Sequence, residues 1–291
     1  MRTAAIGGRL ALRRGEGYLD VATASEGAFG PDPQQVFEDW DRFTAWAREL
    51  PAGPDPAAAG ATREFSADDE TAWSSPVPRP TQVFAIGLNY RDHVAEAGLQ
   101  VPDTPAVFTK FATSITGHNR PVALPEGGST DWEAELVVVI GRRAHRVGRE
   151  EAWAHVAGLT VGQDLSERTL QLAGPMPQFS LGKSYPGFAP LGPELVTVDE
   201  FDDPDDLELG CRFADGEVLQ KSRTSNLIFG VPELIARLSA VCPLLPGDVI
   251  FTGTPAGVGM ARSPQRFLAP GDVLETWIEG IGTLRTPLAA H

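Results

Sequence analysis

Three carboxylates in the middle of the chain have the residue types and spacing of a divalent-metal site. Glu133 and Glu135 lie early in the apolar, β-branched run at residues 131–140, which predicts a buried strand. Alternation along a strand would place both carboxylates on one face, about 7 Å apart. Asp164, just after a predicted strand at residues 159–163, is the natural third ligand. These oxygen donors suit Mg²⁺ or Mn²⁺, with Ca²⁺ also compatible, better than zinc, because no His or Cys stands at ligand spacing.

Two alternatives stay open for this cluster. The strand could lie at the edge of a sheet, with Glu133 and Glu135 in water. Asp131 is a rival ligand, although alternation puts it on the Glu133 face only at the frayed start of the strand. Buried carboxylates without a cation would repel each other and lose their hydration, so burial of the whole run favours a metal.

A candidate proton-transfer pair, His93 and Glu96, lies further upstream. Residues 89–98 predict one or two helical turns, with Asn89 as the N-cap and Gly98 as the C-terminal stop. Positions i and i+3 share a helix face, so Glu96 can hold the imidazole of His93 in one tautomer and raise its basicity. That arrangement makes a general base. The same two residues on a short polar helix also fit a solvated surface.

Donors for an anionic substrate follow in the second half of the chain. Arg168, Gln171 and Lys183 can bind a carboxylate or an enolate oxygen, although each alone fits a surface position equally well. Residues 252–259 form a glycine-rich turn after a predicted strand, and its threonines and backbone amides can cradle an anion. The turn is not a P-loop, because the Lys-Ser/Thr end is missing. A tight turn that needs positive φ explains the glycines equally well.

The elements that position these groups are predicted to fall into two parts. Residues 1–30 predict a small antiparallel sheet, and residues 32–50 predict a helix with an aromatic face. Residues 51–61 are rich in Pro, Ala and Gly and predict a surface linker. We therefore expect a small N-terminal α+β domain at residues 1–75 and a catalytic domain at residues 76–291.

The second part shows many short apolar runs separated by Gly and Pro turns. Strands are predicted at residues 83–86, 106–108, 245–252 and 271–278, a short helix running into a strand at residues 154–161, and a clear helix at residues 232–239. Many strands with few crossover helices predict a β-rich roll or sandwich.

The composition narrows the class of protein. The chain has 291 residues, 42% of them apolar, and a net charge of −15, which argues against nucleic acid or anionic membranes as partners. Cys211 and Cys242 show no metal or disulfide spacing and are expected to be reduced thiols. We find no signal peptide and no stretch long enough to span a membrane, and we expect a cytoplasmic protein.

Seven motifs, in this order, resemble the fumarylacetoacetate hydrolase family. They are residues 86–93, 131–136, 163–168, 182–184, 191–193, 246–248 and 252–259. The resemblance extends over about residues 80–287. Single motifs are weak signals, whereas an ordered series is a strong one.

The resemblance implies a mixed, β-rich α+β fold of the β-sandwich roll type, and a homodimer. It implies Mg²⁺ or Mn²⁺ held by Glu133, Glu135 and Asp164. It implies a small-molecule 2-oxo acid as the substrate.

The resemblance also implies roles for the remaining candidates. His93 and Glu96 would form the catalytic dyad on a lid, and Lys183 would stabilise an oxyanion and handle a proton. Three further side chains would contact the substrate: Arg168, Gln171 and Thr254.

The chain departs from the family pattern at two places. Family members commonly carry Asp-Thr or Asp-Gly two residues after the Lys-Ser pair, where residues 186–187 are Pro-Gly, so a donor and an acidic group are missing near Lys183. The usual Asn-Gly turn is Asp-Gly at residues 215–216. Ser-Glu-Arg at residues 166–168 is most similar to the sub-group that includes 2,4-diketo-3-deoxy sugar acid hydrolases.

The activity expected from this resemblance is catabolic hydrolysis of the C–C bond of a 2,4-dioxo acid, such as an acylpyruvate or fumarylacetoacetate. The metal and Lys183 would stabilise the enolate that is released, and the dyad would activate water. Decarboxylation of oxaloacetate or keto–enol isomerisation would use the same enolate and is the alternative. A third possibility is a metabolite-binding protein without activity. The presence of His93, Glu96 and Lys183 argues against it.

Overall fold

The computed structural model describes residues 1–15, 17–50 and 73–291, and the predicted linker at residues 51–61 lies outside them. The strands in the described part of the chain are β1 (Arg2–Ile6), β2 (Arg9–Arg14), β3 (Gly17–Asp20), β4 (Trp73–Ser74), β5 (Val83–Gly87), β6 (Ala106–Thr109), β7 (Ile115–Thr116), β8 (Val122–Leu124), β9 (Thr130–Asp131), β10 (Ala134–Ile140), β11 (Val156–Gln163), β12 (Ser166–Glu167), β13 (Ala189–Val196), β14 (Glu208–Phe213), β15 (Val218–Arg223), β16 (Val249–Phe251), β17 (Val273–Ile278) and β18 (Gly282–Ala290). The α-helices there are α1 (Val21–Ala24), α2 (Trp40–Glu49), α3 (Arg91–Glu96), α4 (Arg168–Gln171), α5 (Phe179–Gly182) and α6 (Val231–Val241).

Two sheets make up most of the fold. The larger has 11 strands in the order β3-β2-β1-β13-β11-β10-β16-β5-β6, with β4 paired to β1 and β7 to β13. The smaller has five strands in the order β15-β14-β17-β18-β8. A separate short ladder joins β9 to β12 and brings Asp131 opposite Ser166.

Strand β10 lies in the interior of the large sheet, between β11 and β16, and all seven of its residues are buried. Leu136 and Val138 on one face pack with α6 and the five-stranded sheet. Val137 and Val139 on the other face pack with the aromatic side chains of α2. A strand with cores on both sides must be apolar throughout, as this run is. The alternative that it lies at a sheet edge in water is wrong.

The N-terminal strands extend the large sheet. The predicted small antiparallel sheet is present as β1 to β3, but β1 also pairs with β13, with Thr3 opposite Leu195. The aromatic face of α2 is buried on the same side through Trp40 and Phe43. The division into two domains at residue 75 stays a prediction.

The other predicted elements are present with shifted ends. Helix α6 includes the predicted helix at residues 232–239, and β6 and β17 occupy two of the predicted strands. Strand β16 is shorter than predicted, because Leu245 and Asp248 form a turn: the Asp248 side chain accepts the Leu245 N–H at 2.7 Å. The run at residues 131–140 is interrupted at residues 132–133, between β9 and β10.

Candidate active site

The three predicted metal ligands meet at the start of β10 and the end of β11, which lie next to each other. Glu133 immediately precedes β10, Glu135 is its second residue, and Asp164 follows the last residue of β11. The Asp164 N–H donates to the Glu133 carbonyl at 2.9 Å, so the antiparallel ladder continues to this point. Each residue offers an oxygen that lies within 4.8 Å of the others, and all three residues are buried.

The donor set fits a hard divalent cation. Burial raises the pKa of the Glu135 carboxyl well above its usual value, and the neighbouring Asp164 and Glu133 raise it further. A buried carboxyl in this position lacks sufficient positive charge nearby, which a divalent cation would supply. Its Oε2 accepts the Gly253 N–H at 2.7 Å, which fixes the carboxyl group at the cluster.

Glu133 is held by a cation on each of its oxygens. Arg168 lies 2.8 Å from Oε1, and Lys183 Nζ lies 2.7 Å from Oε2. Burial alone would raise the pKa of Glu133, but Lys183 and Arg168 outweigh it and lower the pKa to about 2. Lys183 also contacts Asp164 Oδ2 and Ser166 Oγ, each at 2.7 Å. Its ammonium group therefore stands at the edge of the ligand cluster.

The predicted substrate donors are buried in this cluster and are not surface residues. Arg168 is 6% exposed, Gln171 4% and Lys183 2%. Arg168 opens α4 and donates to Gln171 Oε1 at 2.9 Å, so the two side chains are fixed together. The role of each in binding substrate stays a proposal.

Lys110 is a cluster residue that the sequence analysis missed. It follows β6, its side chain is fully buried, and its Nζ donates to Asp164 Oδ1 at 2.5 Å and to the main-chain carbonyl of Lys183. A signal was available: Lys110, Lys183 and Lys221 are the three lysines among 24 basic residues. Two of the three, Lys110 and Lys183, contact the same carboxylate, Asp164.

Asp131 does not join the candidate ligands. It is fully buried, and its Oδ2 accepts two hydrogen bonds from Arg168 at 2.8 and 3.0 Å. It also accepts the N–H groups of Gly259 at 2.7 Å and Met260 at 3.0 Å. Arg168 Nη2 lies 2.8 Å from both Asp131 Oδ2 and Glu133 Oε1, so the guanidinium group stands between the two carboxylates. Asp131 holds Arg168 and the glycine-rich loop instead.

The structure brings His93 and Glu96 together on α3. His93 Nδ1 lies 3.1 Å from Glu96 Oε2, and the other Glu96 oxygen accepts the Gly257 N–H at 2.9 Å. The side chains are 14% and 23% exposed, so the pair borders solvent while the carboxylate triad is buried. His93 is one of the groups that lower the pKa of Glu133, after Lys183 and Arg168.

Helix α3 begins differently from the prediction. Tyr90 is the N-cap, without a side-chain cap bond. Asn89 instead donates from its amide to the carbonyls of Phe229 at 3.0 Å and Thr252 at 2.7 Å. Asn89 therefore fixes the entry to the helix against the strand end before the glycine-rich loop. Gly98 has φ of +66°, as expected for a residue just beyond a helix.

The glycine-rich turn presents its amides to carboxylates of the protein. Besides the Gly253–Glu135 and Gly257–Glu96 bonds, it supplies the two donors to Asp131. The predicted substrate contact Thr254 uses its hydroxyl internally, donating to the Ala134 carbonyl at 3.0 Å. The loop thus connects the candidate metal ligand Glu135 to the His93–Glu96 pair through main-chain hydrogen bonds.

The Pro-Gly pair after Lys183 forms a turn. The Phe188 N–H donates to the Tyr185 carbonyl at 3.0 Å, and Gly187 has φ of +82°. Proline and a positive-φ glycine are the residues that the two central positions of a type II turn favour. This departure from the family pattern therefore has a local structural reason.

The chain combines a two-sheet α+β fold with a buried carboxylate triad, buried lysines and a His–Glu pair. The family model described as fumarylacetoacetate (FAA) hydrolase C-terminal matches residues 82–289. The chain belongs to this family, as the sequence resemblance predicted. The predicted fold class is confirmed as well, because solved structures of the family have the same fold.

Similar proteins carry several activities in their names. The human mitochondrial oxaloacetate tautomerase FAHD2A is 44% identical over 216 residues, which are 74% of this chain and 68% of that protein. A Mycobacterium smegmatis structure provisionally assigned as an HpcE protein is 55% identical, with a TM-score of 0.90 over 100% of this chain and 99% of that one. Maleylpyruvate hydrolase from Sphingobium sp. SYK-6, in complex with manganese(II) and pyruvate, is 28% identical, with a TM-score of 0.78 and coverages of 100% and 99%.

Two further predictions, on membrane spans and on the cysteines, can be compared with the described part of the structure. None of the helices within the described residues is long and apolar enough to cross a membrane. Cys211 and Cys242 are both free, as expected. The cytoplasmic location and the homodimer stay predictions, and the curated relatives that carry a location in their names are mitochondrial.

Proposed function

We propose that this chain catalyses metal-assisted enolisation of a 2-oxo acid, and that keto–enol tautomerisation of oxaloacetate is its reaction. One observation carries the proposal: the loop at residues 253–260 holds both a triad carboxylate, through Gly253, and the general-base pair, through Gly257. Metal chemistry and proton transfer can then act on one substrate. The names of the 44%-identical relatives support oxaloacetate as the substrate.

Glu133, Glu135 and Asp164 would hold the cofactor, which we propose to be Mg²⁺ or Mn²⁺. When bound, it supplies a Lewis acid that polarises the 2-oxo group and favours the enol form. The manganese(II) named in the maleylpyruvate hydrolase complex supports this choice of metal. Lys183, whose pKa is raised because Asp164 and Glu133 outweigh the effect of burial, stays cationic beside the cluster. It places a second positive charge where the substrate oxygen becomes negative.

His93 is the proposed base. Glu96 accepts a hydrogen bond from Gly257 and faces His93 Nδ1, so it acts as an acceptor that keeps the proton on Nδ1. The lone pair of Nε2 is then available to take a proton from C3 of the oxo acid. The C3–H electron pair becomes the C2–C3 π bond, and the C2–O π pair moves to the oxygen. That oxygen receives the proton from the imidazolium, directly or by relay through Lys183, so His93 and Lys183 both end in their starting states and the tautomerisation is complete.

A second candidate is hydrolysis of the C–C bond of an acylpyruvate-type 2,4-dioxo acid. The observation in its favour is the partial exposure of His93 and Glu96, which gives the base access to water. The name of the 28%-identical maleylpyruvate hydrolase supports it too. The base would then take a proton from water attacking the C4 carbonyl, and pyruvate enolate would leave. Decarboxylation of oxaloacetate needs the same enolate without water.

Turnover on a small panel separates these reactions. Oxaloacetate, acetylpyruvate and fumarylacetoacetate are each mixed with the protein in Mg²⁺, in Mn²⁺ or in EDTA. Faster decay of the enol absorbance of oxaloacetate, without loss of CO₂, supports the tautomerase. Pyruvate released with a matching carboxylic acid from a dioxo acid supports the hydrolase instead.

Two variants test whether the described site performs the reaction. His93→Ala should abolish turnover, whereas His145→Ala, at an exposed position outside the cluster, should leave it unchanged. Turnover that is equal in EDTA and in Mg²⁺ would refute the metal-assisted mechanism.

A further inference from the structure

The distribution of lysine in this chain is uneven. Of 24 basic residues three are lysines, and two of these, Lys110 and Lys183, are buried at the carboxylate cluster. The third, Lys221, has a side chain that is 59% exposed and pairs with Glu208 at 3.1 Å. A lysine offers a compact point charge, whereas arginine needs room for a planar fork. Lysine therefore suits these two buried positions, where a compact positive charge has to fit beside carboxylates.

Lys110 and Lys183 occupy different positions there. Lys183 spans two candidate ligands, Glu133 and Asp164. Lys110 contacts Asp164 alone, through Oδ1, and anchors its remaining polar contact on the Lys183 main chain. Its Nζ also lies 5.9 Å from the centre of the Phe251 ring. Lys110 has a fully buried side chain and fixed partners behind the ligand; burial lowers its pKa, and the ion pair with Asp164 opposes that lowering and favours the ammonium form.

The formal charge of the cluster depends on this lysine. Four buried carboxylates face three buried cations, the latter being Lys110, Lys183 and Arg168. The carboxylates are the three candidate ligands and Asp131. With all four ionised, as ligands must be when metal is bound, the cluster has a net charge of −1, and a divalent cation makes it +1. Without Lys110 the net charge of the cluster is −2 before the divalent cation binds and 0 afterwards. The site would then attract the metal more strongly and lose its net attraction for an anionic substrate.

We infer that Lys110 sets the balance between metal affinity and substrate affinity, holding the metal less tightly so that the metal-loaded site binds an anion. The inference rests on the proposed function, because it presupposes a divalent metal on Glu133, Glu135 and Asp164. Lys110 is a positioning and charge-setting residue in this scheme and does not touch the reacting atoms.

The test compares Lys110→Met, which keeps the apolar stem without the charge, with Lys221→Met as a surface control. Calorimetry measures Mn²⁺ binding to each protein, and then oxalate binding to the Mn²⁺-loaded protein, oxalate being a dianion with two chelating oxygens. Removing one unit charge at ion-pair distance should tighten Mn²⁺ about tenfold or more and weaken oxalate about tenfold or more. Lys221→Met should match the wild type in both.

The opposite signs distinguish a charge effect from damage to the fold. A loss of affinity for both Mn²⁺ and oxalate, or no change in either, would overturn the inference. If Lys110→Met does not fold, Lys110→Gln, which keeps a donor for Asp164, carries the same expectation. Lys110→Arg keeps the charge and should not show the opposed shifts; if it does, charge is not the cause.

Failure of the proposed function gives a different result. If the wild type binds no Mn²⁺, and Glu135→Gln is indistinguishable from it, the metal site itself is refuted and the inference falls with it. If the wild type binds Mn²⁺ but Lys110→Met leaves both affinities within twofold, only the role of Lys110 is refuted.

Discussion

Replacing Gly257 with alanine should separate the general-base pair from the loop that holds it. Gly257 has φ of +106°, and a Cβ built on it would lie 2.2 Å from the Leu219 carbonyl oxygen. Its N–H donates to Glu96 Oε1 at 2.9 Å. Cβ atoms do not approach other atoms within 3.0 Å, so the backbone has to move by about 0.8 Å at least. The obstacle is main chain and cannot rotate away.

This displacement sets the size of the effect. We expect a main-chain shift of that size to lengthen or misalign the 2.9 Å hydrogen bond to Glu96, so that it no longer orients the carboxylate. A hydrogen bond to a charged group contributes about 1.5–3 kcal/mol, which corresponds to roughly 10- to 100-fold in turnover if it is needed to orient His93. We expect kcat for oxaloacetate in Mn²⁺ to fall within this range. Mn²⁺ affinity should change little, because the triad is held by other contacts.

Gly216→Ala is a matched control. Gly216 has nearly the same φ, +107°, but a Cβ there meets nothing within 4 Å. It should lose about 1–2 kcal/mol of unfolding free energy from backbone strain and keep full turnover. Urea denaturation and kcat are measured for both variants. The reasoning is refuted if Gly257→Ala retains kcat within threefold of the wild type, or if Gly216→Ala loses turnover to the same extent.

Three further outcomes follow from the site and from the N-terminal strands. Glu135→Gln should lower Mn²⁺ affinity by at least about 10-fold in calorimetry, because it removes a charged ligand; unchanged affinity would exclude Glu135 as a ligand. His93→Ala should bind Mn²⁺ normally but lose turnover by about 100-fold or more, since it removes the base; retained turnover would place the base elsewhere. Asp20 has a pKa lowered from its usual 3.8 to about 2, chiefly by its hydrogen bond from Arg9. Its folded-state pKa is depressed, so the stability it contributes is present above about pH 4 and is lost as pH falls through about 2; it amounts to about 2 kcal/mol. Asp20→Asn should therefore be less stable at neutral pH and show a shallower loss of stability between pH 4 and 2 in urea titrations; an unchanged slope contradicts this.

The triad could be predicted from the sequence because strand geometry is local. The apolar run after Glu133 and Glu135 requires burial on both faces, and two carboxylates that enter such a run need a cation. Asp164 could be predicted as the third member because it comes directly after a predicted strand, where a sheet opens into a loop. The continuous strand expected at residues 131–140 is interrupted at residues 132–133, and no periodicity records that interruption.

Lys110 could not be placed by the same reasoning. It lies 23 positions before Glu133, in a stretch of uncharged residues, and reaches Asp164 because β6 pairs with β5 at the end of the sheet. Pairing between distant strands is set by tertiary packing and not by local pattern. The attachment of β1 to β13 escaped prediction for the same reason. In both cases the local sequence gives no sign of which distant strand will be the partner.

The loop at residues 253–260 holds its carboxylates by main-chain N–H groups, which every residue except proline possesses. The side chains at positions 256, 258 and 260 are therefore not needed for these contacts, whereas the glycines at 253, 257 and 259 are confined by close neighbours. Within a few residues, the glycines fix the path of the main chain, and the other positions are free to carry different side chains. The partly exposed side chains at positions 256 and 260 can be exchanged while the main-chain contacts to Glu135, Glu96 and Asp131 keep their places, whereas Val258 is buried. An effort to change the substrate of this enzyme would reasonably begin there.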